Sequence, residues 1–141
     1  MLKLMYITNS PEVASIADGA GVDRIFIDLE QYGKEKRQKN WDSVKSKHSI
    51  SDIPKVKSAV KNAQIFVRTD PIFDGFSDEL EGVLACEPDV VMLPYFKTVC
   101  EVETFIKAVD GRATTSLLLE TREAAEQIDD IISVGGIDEI H

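Results

Sequence analysis

One rhythm runs through this chain: a short apolar run of strand length, then a longer stretch with apolar residues at helical spacing, five times over, with a sixth strand begun. Such alternation predicts a parallel sheet, because parallel strands need a crossover long enough to carry a helix, and that crossover is right-handed. The predicted strands run through Leu4 to Ile7, Arg24 to Glu30, Gln64 to Arg68, Asp89 to Pro94 and Leu117 to Leu119, and Ile137 to His141 opens a sixth. The helix signals fall between them. Asn9 or Ser10 caps the first helix, with Pro11 in its first turn and Gly21 at its end. Asp52 caps the second, with Val56, Ala59 and Val60 inward, and Ser77 caps the third, carrying Leu80, Val83 and Leu84. Thr98 and Glu101 form a T-x-x-E capping box for the fourth. Thr121 caps a fifth that continues to Ile132, with Gly135 and Gly136 behind it. The pattern allows either a sheet closing into a barrel or an open, doubly wound sheet.

With 141 residues the chain is long enough for one domain, residues 1–141, with a substantial core. Sixteen Lys and Arg stand against twenty-five Asp and Glu, a formal charge of −9. That balance disfavours a phosphate backbone or an anionic membrane as partner, so neither nucleic acid nor membrane is expected. Cys86 and Cys100 both fall in predicted helices and show no metal-ligand spacing. They read as reduced thiols of a cytoplasmic protein. The apolar run at the start is too short for a signal or a membrane span.

From Gln31 to Ser51 the periodicity is lost in a polar, basic stretch, which reads as a solvated excursion or a loop over a site. Trp41 and His48 are its residues with binding or proton-transfer potential. Three charged residues stand out elsewhere, because Glu30, Arg68 and Glu120 close the second, third and fifth strands. The carboxyl rim of a parallel sheet is where ligands bind. Glu120 alone could be a first-turn acid favoured by the helix dipole. Together, however, a carboxylate able to hold a hard cation and a guanidinium able to hold a carboxylate or enolate suit Lewis-acid chemistry on a 2-oxo acid.

The stretches VDRIFIDLE, FVRTD, VVMLP and LLLETREAAEQIDDIISVGGIDEI resemble, in order and spacing, the HpcH/HpaI aldolase and citrate lyase beta-subunit family of phosphoenolpyruvate/pyruvate-binding barrels. The resemblance implies a TIM (β/α)₈ barrel, here incomplete at about five and a half units. It implies Glu120 as a metal ligand for Mg²⁺ or Mn²⁺, Arg68 as the arginine on the substrate carboxylate and enolate, and Glu30 as the acid of the second-strand motif. The implied activity is class II, metal-dependent aldolase or lyase chemistry on 2-oxo acids or acyl-CoA thioesters, through an enolate stabilised by the metal as Lewis acid. The expected partners are that small-molecule substrate and further copies of the chain in a homo-oligomer.

Three departures qualify the likeness. Gln31 stands where the aldolase branch has histidine, and where the citrate lyase branch has an acid. A general base must then come from elsewhere, and His48 is the candidate. The family's second metal ligand, an aspartate beyond the sixth strand, lies past His141. Since a closed barrel takes about 250 residues, the expectation is a piece of a longer enzyme that is a poor catalyst or none by itself. The rival expectation is a non-catalytic α/β binding or receiver-like module on an open sheet.

Overall fold

A computed structural model describes residues 2–31 and 47–141. Most of the polar excursion, including Trp41, lies outside the described residues. The strands are β1 (Met5–Ile7), β2 (Arg24–Asp28), β3 (Gln64–Arg68), β4 (Val90–Leu93), β5 (Thr114–Leu117) and β6 (Glu139–Ile140). The helices are α1 (Pro11–Gly19), α2 (Asp52–Ala59), α3 (Phe76–Leu84), α4 (Val99–Val109), α5 (Arg122–Glu126) and α6 (Ile128–Ile132).

All strand pairs are parallel, and the sheet order is β1-β2-β3-β4-β5-β6, the order of the sequence itself. A run of right-handed crossovers with no reversal places every helix on one side of the sheet. There is no point at which the strand order turns back, so the doubly wound arrangement of a receiver-like module is not the one formed. The sheet is open, with β1 and β6 at its edges, and its winding is that of a barrel wall.

The two faces of this wall differ because side chains alternate along each strand. Toward the helices, Ile25, Ile27, Ile65, Val67, Val91, Leu93 and Leu117 join Ala14, Val56, Leu80, Val83, Phe105 and Ile131 in one buried core. On the concave face Phe66, Val90 and Met92 form a smaller cluster with Phe26 and Leu118. The rings of Phe26 and Phe66 meet edge to face at 5.0 Å.

Below them Arg24 of β2 spans the concave face to Glu139 of β6, with N–O distances of 2.7 and 2.5 Å. Flat sheets space strands about 4.8 Å apart, which would put β2 and β6 about 19 Å from each other. A bidentate ion pair between them therefore requires strong curvature. Exposed apolar side chains gather at the two edges: Leu4, Met5, Tyr6 and Ile7 along β1, Ile16 on α1, and Ile132 and Ile140 beside β6.

Local signals account for most boundaries. Ser10 accepts a hydrogen bond from the Val13 amide and Pro11 opens α1. The Thr98 and Glu101 side chains cap each other's amides at the start of α4. Elsewhere the expectations need correction. The N-cap of α3 is Gly75, with extended φ of 164°, and Ser77 lies inside the first turn. Ser51 precedes α2, and Asp52 is its first residue, its carboxylate accepting from the Ser49 amide and from Asn9. The stretch from Thr121 to Ile132 is not one helix, because Gln127 leaves helical geometry and its side-chain amide bonds to the carbonyls of Lys97 and Glu123. Cys86 lies just past α3 rather than within it. Among the described residues no helix is long and apolar enough to cross a membrane.

Candidate functional site

The carboxyl ends of β2 and β3 run side by side in register, with Asp28 opposite Arg68. Alternation points both onto the concave face, and the guanidinium of Arg68 grips Asp28 through Nε and Nη2 at 3.0 and 2.9 Å. Glu30, two residues past the end of β2, approaches the same Nη2 at 3.4 Å. The three side chains are mostly withdrawn from water, at 19% exposure for Arg68, 12% for Asp28 and 6% for Glu30. Burial alone would lower the pKa of Arg68. The Asp28 hydrogen bonds and the charges of Asp28, Glu30 and Glu120 outweigh it and raise it above the ordinary arginine value. Two of the five guanidinium hydrogens are thus committed to Asp28, and Nη1 makes no hydrogen bond among the described residues.

Glu120 reaches this rim from another direction. β5 ends at Leu117, but Leu118 and Leu119 continue the ladder by donating to Leu93 and His141. Glu120 follows as an exposed residue of the loop. Its Oε1 accepts the Tyr95 amide at 3.0 Å. Tyr95, two residues past β4, has φ of 51°, a left-handed conformation that costs a bulky side chain energy and aims its N–H at that carboxylate. Behind it the Thr121 hydroxyl donates to the Phe96 carbonyl at 2.6 Å and accepts from Ala124. The loops after β4 and β5 are thereby fastened together around Glu120. Lys97 lies beside the same rim, 5.4 Å from the Tyr95 ring centre and 3.6 Å from Glu123.

His48, the candidate base of the sequence analysis, packs against the end of β2. It is buried at 3% exposure, and its Nδ1 accepts the Asp28 amide at 2.9 Å. β1 has ended at this level, so the imidazole takes the amide that a longer β1 would have bonded. That bond needs Nδ1 unprotonated, and any proton transfer through His48 would have to use Nε2. Replacing His48 with alanine is expected to cost about 1 kcal/mol by removing the acceptor of a part-buried amide, read as a lower denaturant midpoint. Gln31 holds the same corner, donating its backbone N–H to Asp70 at 2.6 Å and its side-chain amide to the His48 carbonyl.

The donor set suits a hard cation in kind, since Glu120 offers a carboxylate at the rim. It is sparse in number: among the described residues no three His, Cys, Asp or Glu side chains gather as a metal cluster. Asp28 and Glu30 are engaged by Arg68, whereas the Glu120 carboxylate stands exposed outside that cluster with the Tyr95 amide on Oε1. A cavity of about 380 Å³ lies at the opposite rim, lined by Lys3, Asp18, Gly21, Val22, Asp23, Asn62 and Gln64, and shares none of these residues.

Asp28 and Tyr95 were not singled out by the sequence reading. Asp28 had a signal, standing two residues before Glu30 on the same face of β2. Tyr95 had none, because its part is played by a backbone amide in an uncommon conformation.

Solved structures share this architecture. A family protein from Burkholderia cenocepacia J2315 superposes with a TM-score of 0.76 at 12% identity, over 98% of this chain and 62% of its own. An HpcH/HpaI aldolase from Desulfitobacterium hafniense DCB-2 gives 0.72 at 15%, over 98% and 61%. The citrate synthase SbnG gives 0.72 at 16%, over 98% and 59%. The chain thus spans about three fifths of the length of these structures, which at such identities share its fold. No curated protein matches it in sequence. The family model for HpcH/HpaI aldolase/citrate lyase matches residues 3–141, nearly the whole length, and the chain belongs to that family.

Proposed function

We propose that this chain carries the substrate- and metal-holding wall of an aldolase-type carbon–carbon lyase acting on 2-oxo acids. The observation that carries the reading is the Arg68 guanidinium, desolvated and fixed edge-on by Asp28 and Glu30, at the same rim as the Glu120 carboxylate. Arg68 binds the carboxylate of the 2-oxo acid through Nη1, and its fixed fork sets the angle at which the substrate lies. Asp28 and Glu30 hold that fork in place, so little freedom is lost when substrate arrives. Mg²⁺ or Mn²⁺ held by Glu120, with water and substrate oxygens completing its shell, would supply Lewis acidity toward the charge that develops on the 2-oxo group. The Tyr95 amide and the Thr121 clasp keep Glu120 turned to the rim. The Gln31 amide cannot act as a base at neutral pH, so the proton-transfer group is sought among the Glu30 carboxyl and Nε2 of His48.

Calorimetric titration of oxalate, a stable mimic of the pyruvate enolate, tests this directly. Binding is expected only with Mn²⁺ present, and Glu120→Gln is expected to weaken it by at least tenfold, about 1.4 kcal/mol. Oxalate binding that ignores both Mn²⁺ and Glu120→Gln would remove the metal-holding role. Mn²⁺-dependent oxaloacetate decarboxylation and aldol cleavage then test the lyase reading itself.

A further inference from the structure

Glu79 is a half-buried acid that the reading above does not use. It lies in the first turns of α3, and one oxygen, Oε1, accepts the backbone N–H of Asp70 at 3.1 Å. The other, Oε2, is buried and has no hydrogen-bond partner among the described residues. A buried carboxylate oxygen without a donor is costly, whereas the same oxygen carrying a proton is a neutral hydroxyl. Asp70, two residues past the end of β3, connects this acid to the rim. Its N–H rests on Glu79 and its Oδ1 takes the Gln31 amide at 2.6 Å. Gln31 is the residue after Glu30, which contacts Arg68.

We propose that Glu79 is a positioning residue which, in its protonated form, fastens the loop after β3 through Asp70 to the residue that follows Glu30. The proposal adds to the lyase reading and does not require it. Among the described residues, the charge acting on Glu79 is that of Asp70, from the β3 loop. On its own helix, Asp78 and Glu81 are exposed, and Glu81 is paired with Arg112. Burial first, and then the Asp70 charge, push the Glu79 carboxyl up to about 7 against the relief given by the Asp70 amide. Losing the proton sets two like charges side by side at the point where the β2 and β3 loops are joined.

The sign of the linkage follows. An acid raised in the folded state binds a proton that the unfolded chain has released, so stability falls as pH rises from the ordinary glutamate range to about 7. Above that range the burden is fully present. Glu79→Gln keeps an acceptor for the Asp70 amide and stays neutral at every pH.

The test is a ¹⁵N NMR titration of the full chain from pH 5.5 to 8.5. The Asp70 and Gln31 amides are expected to move together with one midpoint near 7 in the parent, and to lose that step in Glu79→Gln. In parallel, Glu79→Gln should match the parent's denaturant midpoint near pH 5 and exceed it at pH 8. An unchanged amide step in the variant, or equal stability at pH 8, would overturn the proposal. Neither readout involves substrate, so failure of the lyase reading leaves this test intact. If oxalate binds, its affinity should decline above pH 7 in the parent and stay level in Glu79→Gln.

Discussion

Replacing Arg68 with methionine is expected to abolish oxalate binding and to lower the unfolding free energy by about 3–5 kcal/mol, the cost of breaking a buried ion pair by removing one partner. Asp28 and Glu30 are 12% and 6% exposed, and without the guanidinium two carboxylates would share one desolvated corner. They would respond by taking up protons. The stability gap between Arg68→Met and the parent should therefore narrow as pH falls from 7.5 toward 4.5. Lysine at the same position keeps the charge but offers a point instead of a fork. Arg68→Lys should keep most of the stability and lose about tenfold in oxalate affinity. Urea denaturation at both pH values, with oxalate titration at pH 7.5, separates the two roles. An Arg68→Met protein as stable as the parent at pH 7.5 would show that the three charges do not act as a unit.

The second large effect lies at the other end of the strands. Arg24 has only 3% of its side chain exposed, and its charge is answered by Glu139, with Gln64 on its Nε. Glu139→Ala strands that cation and is expected to cost about 3 kcal/mol, at the low end for a buried pair because Glu139 is itself 24% exposed. Arg24→Met should cost less, since the glutamate left behind can turn to water. The hydrogen bonds from Arg24 come first in holding the Glu139 carboxyl below its ordinary value, against the opposing effect of burial. Its contribution is therefore whole above the ordinary carboxylate range and is lost as pH falls through the lowered value. Glu139→Ala should accordingly be less sensitive to acid than the parent. Denaturant midpoints at pH 7 and pH 3.5 measure the cost and the sign. Equal midpoints at pH 7 would mean that the pair contributes nothing to holding the curve of the sheet.

How much of this could be read in advance depended on how local each cause was. Parallel strands and their faces followed from the period of Ile25, Ile27 and Leu29 against Phe26, Asp28 and Glu30, which is a property of adjacent residues. The capping box at Thr98 and Glu101 was legible for the same reason. The break at Gln127 was not, because it depends on a carbonyl thirty residues away at Lys97. Nor was the placement of His48, whose imidazole substitutes for a strand that ends early. At the rim the sequence singled out Glu30, Arg68 and Glu120 as charges ending apolar runs. It could not foresee that Asp28 would be the partner taking two hydrogens of the Arg68 guanidinium.

The strand order has a consequence for how such a wall is made. Each strand pairs with the one synthesised just before it, so during translation every new strand meets an edge already laid down and waits for nothing downstream. Loop closure for each step spans only the crossover between consecutive strands, which keeps the entropic cost of each addition small. The Arg24–Glu139 pair is the exception, joining residues 115 positions apart. It can form only after β6 has left the ribosome. Until then Arg24 must stay hydrated on an unfinished concave face, and β6 is the strand that latches this curve.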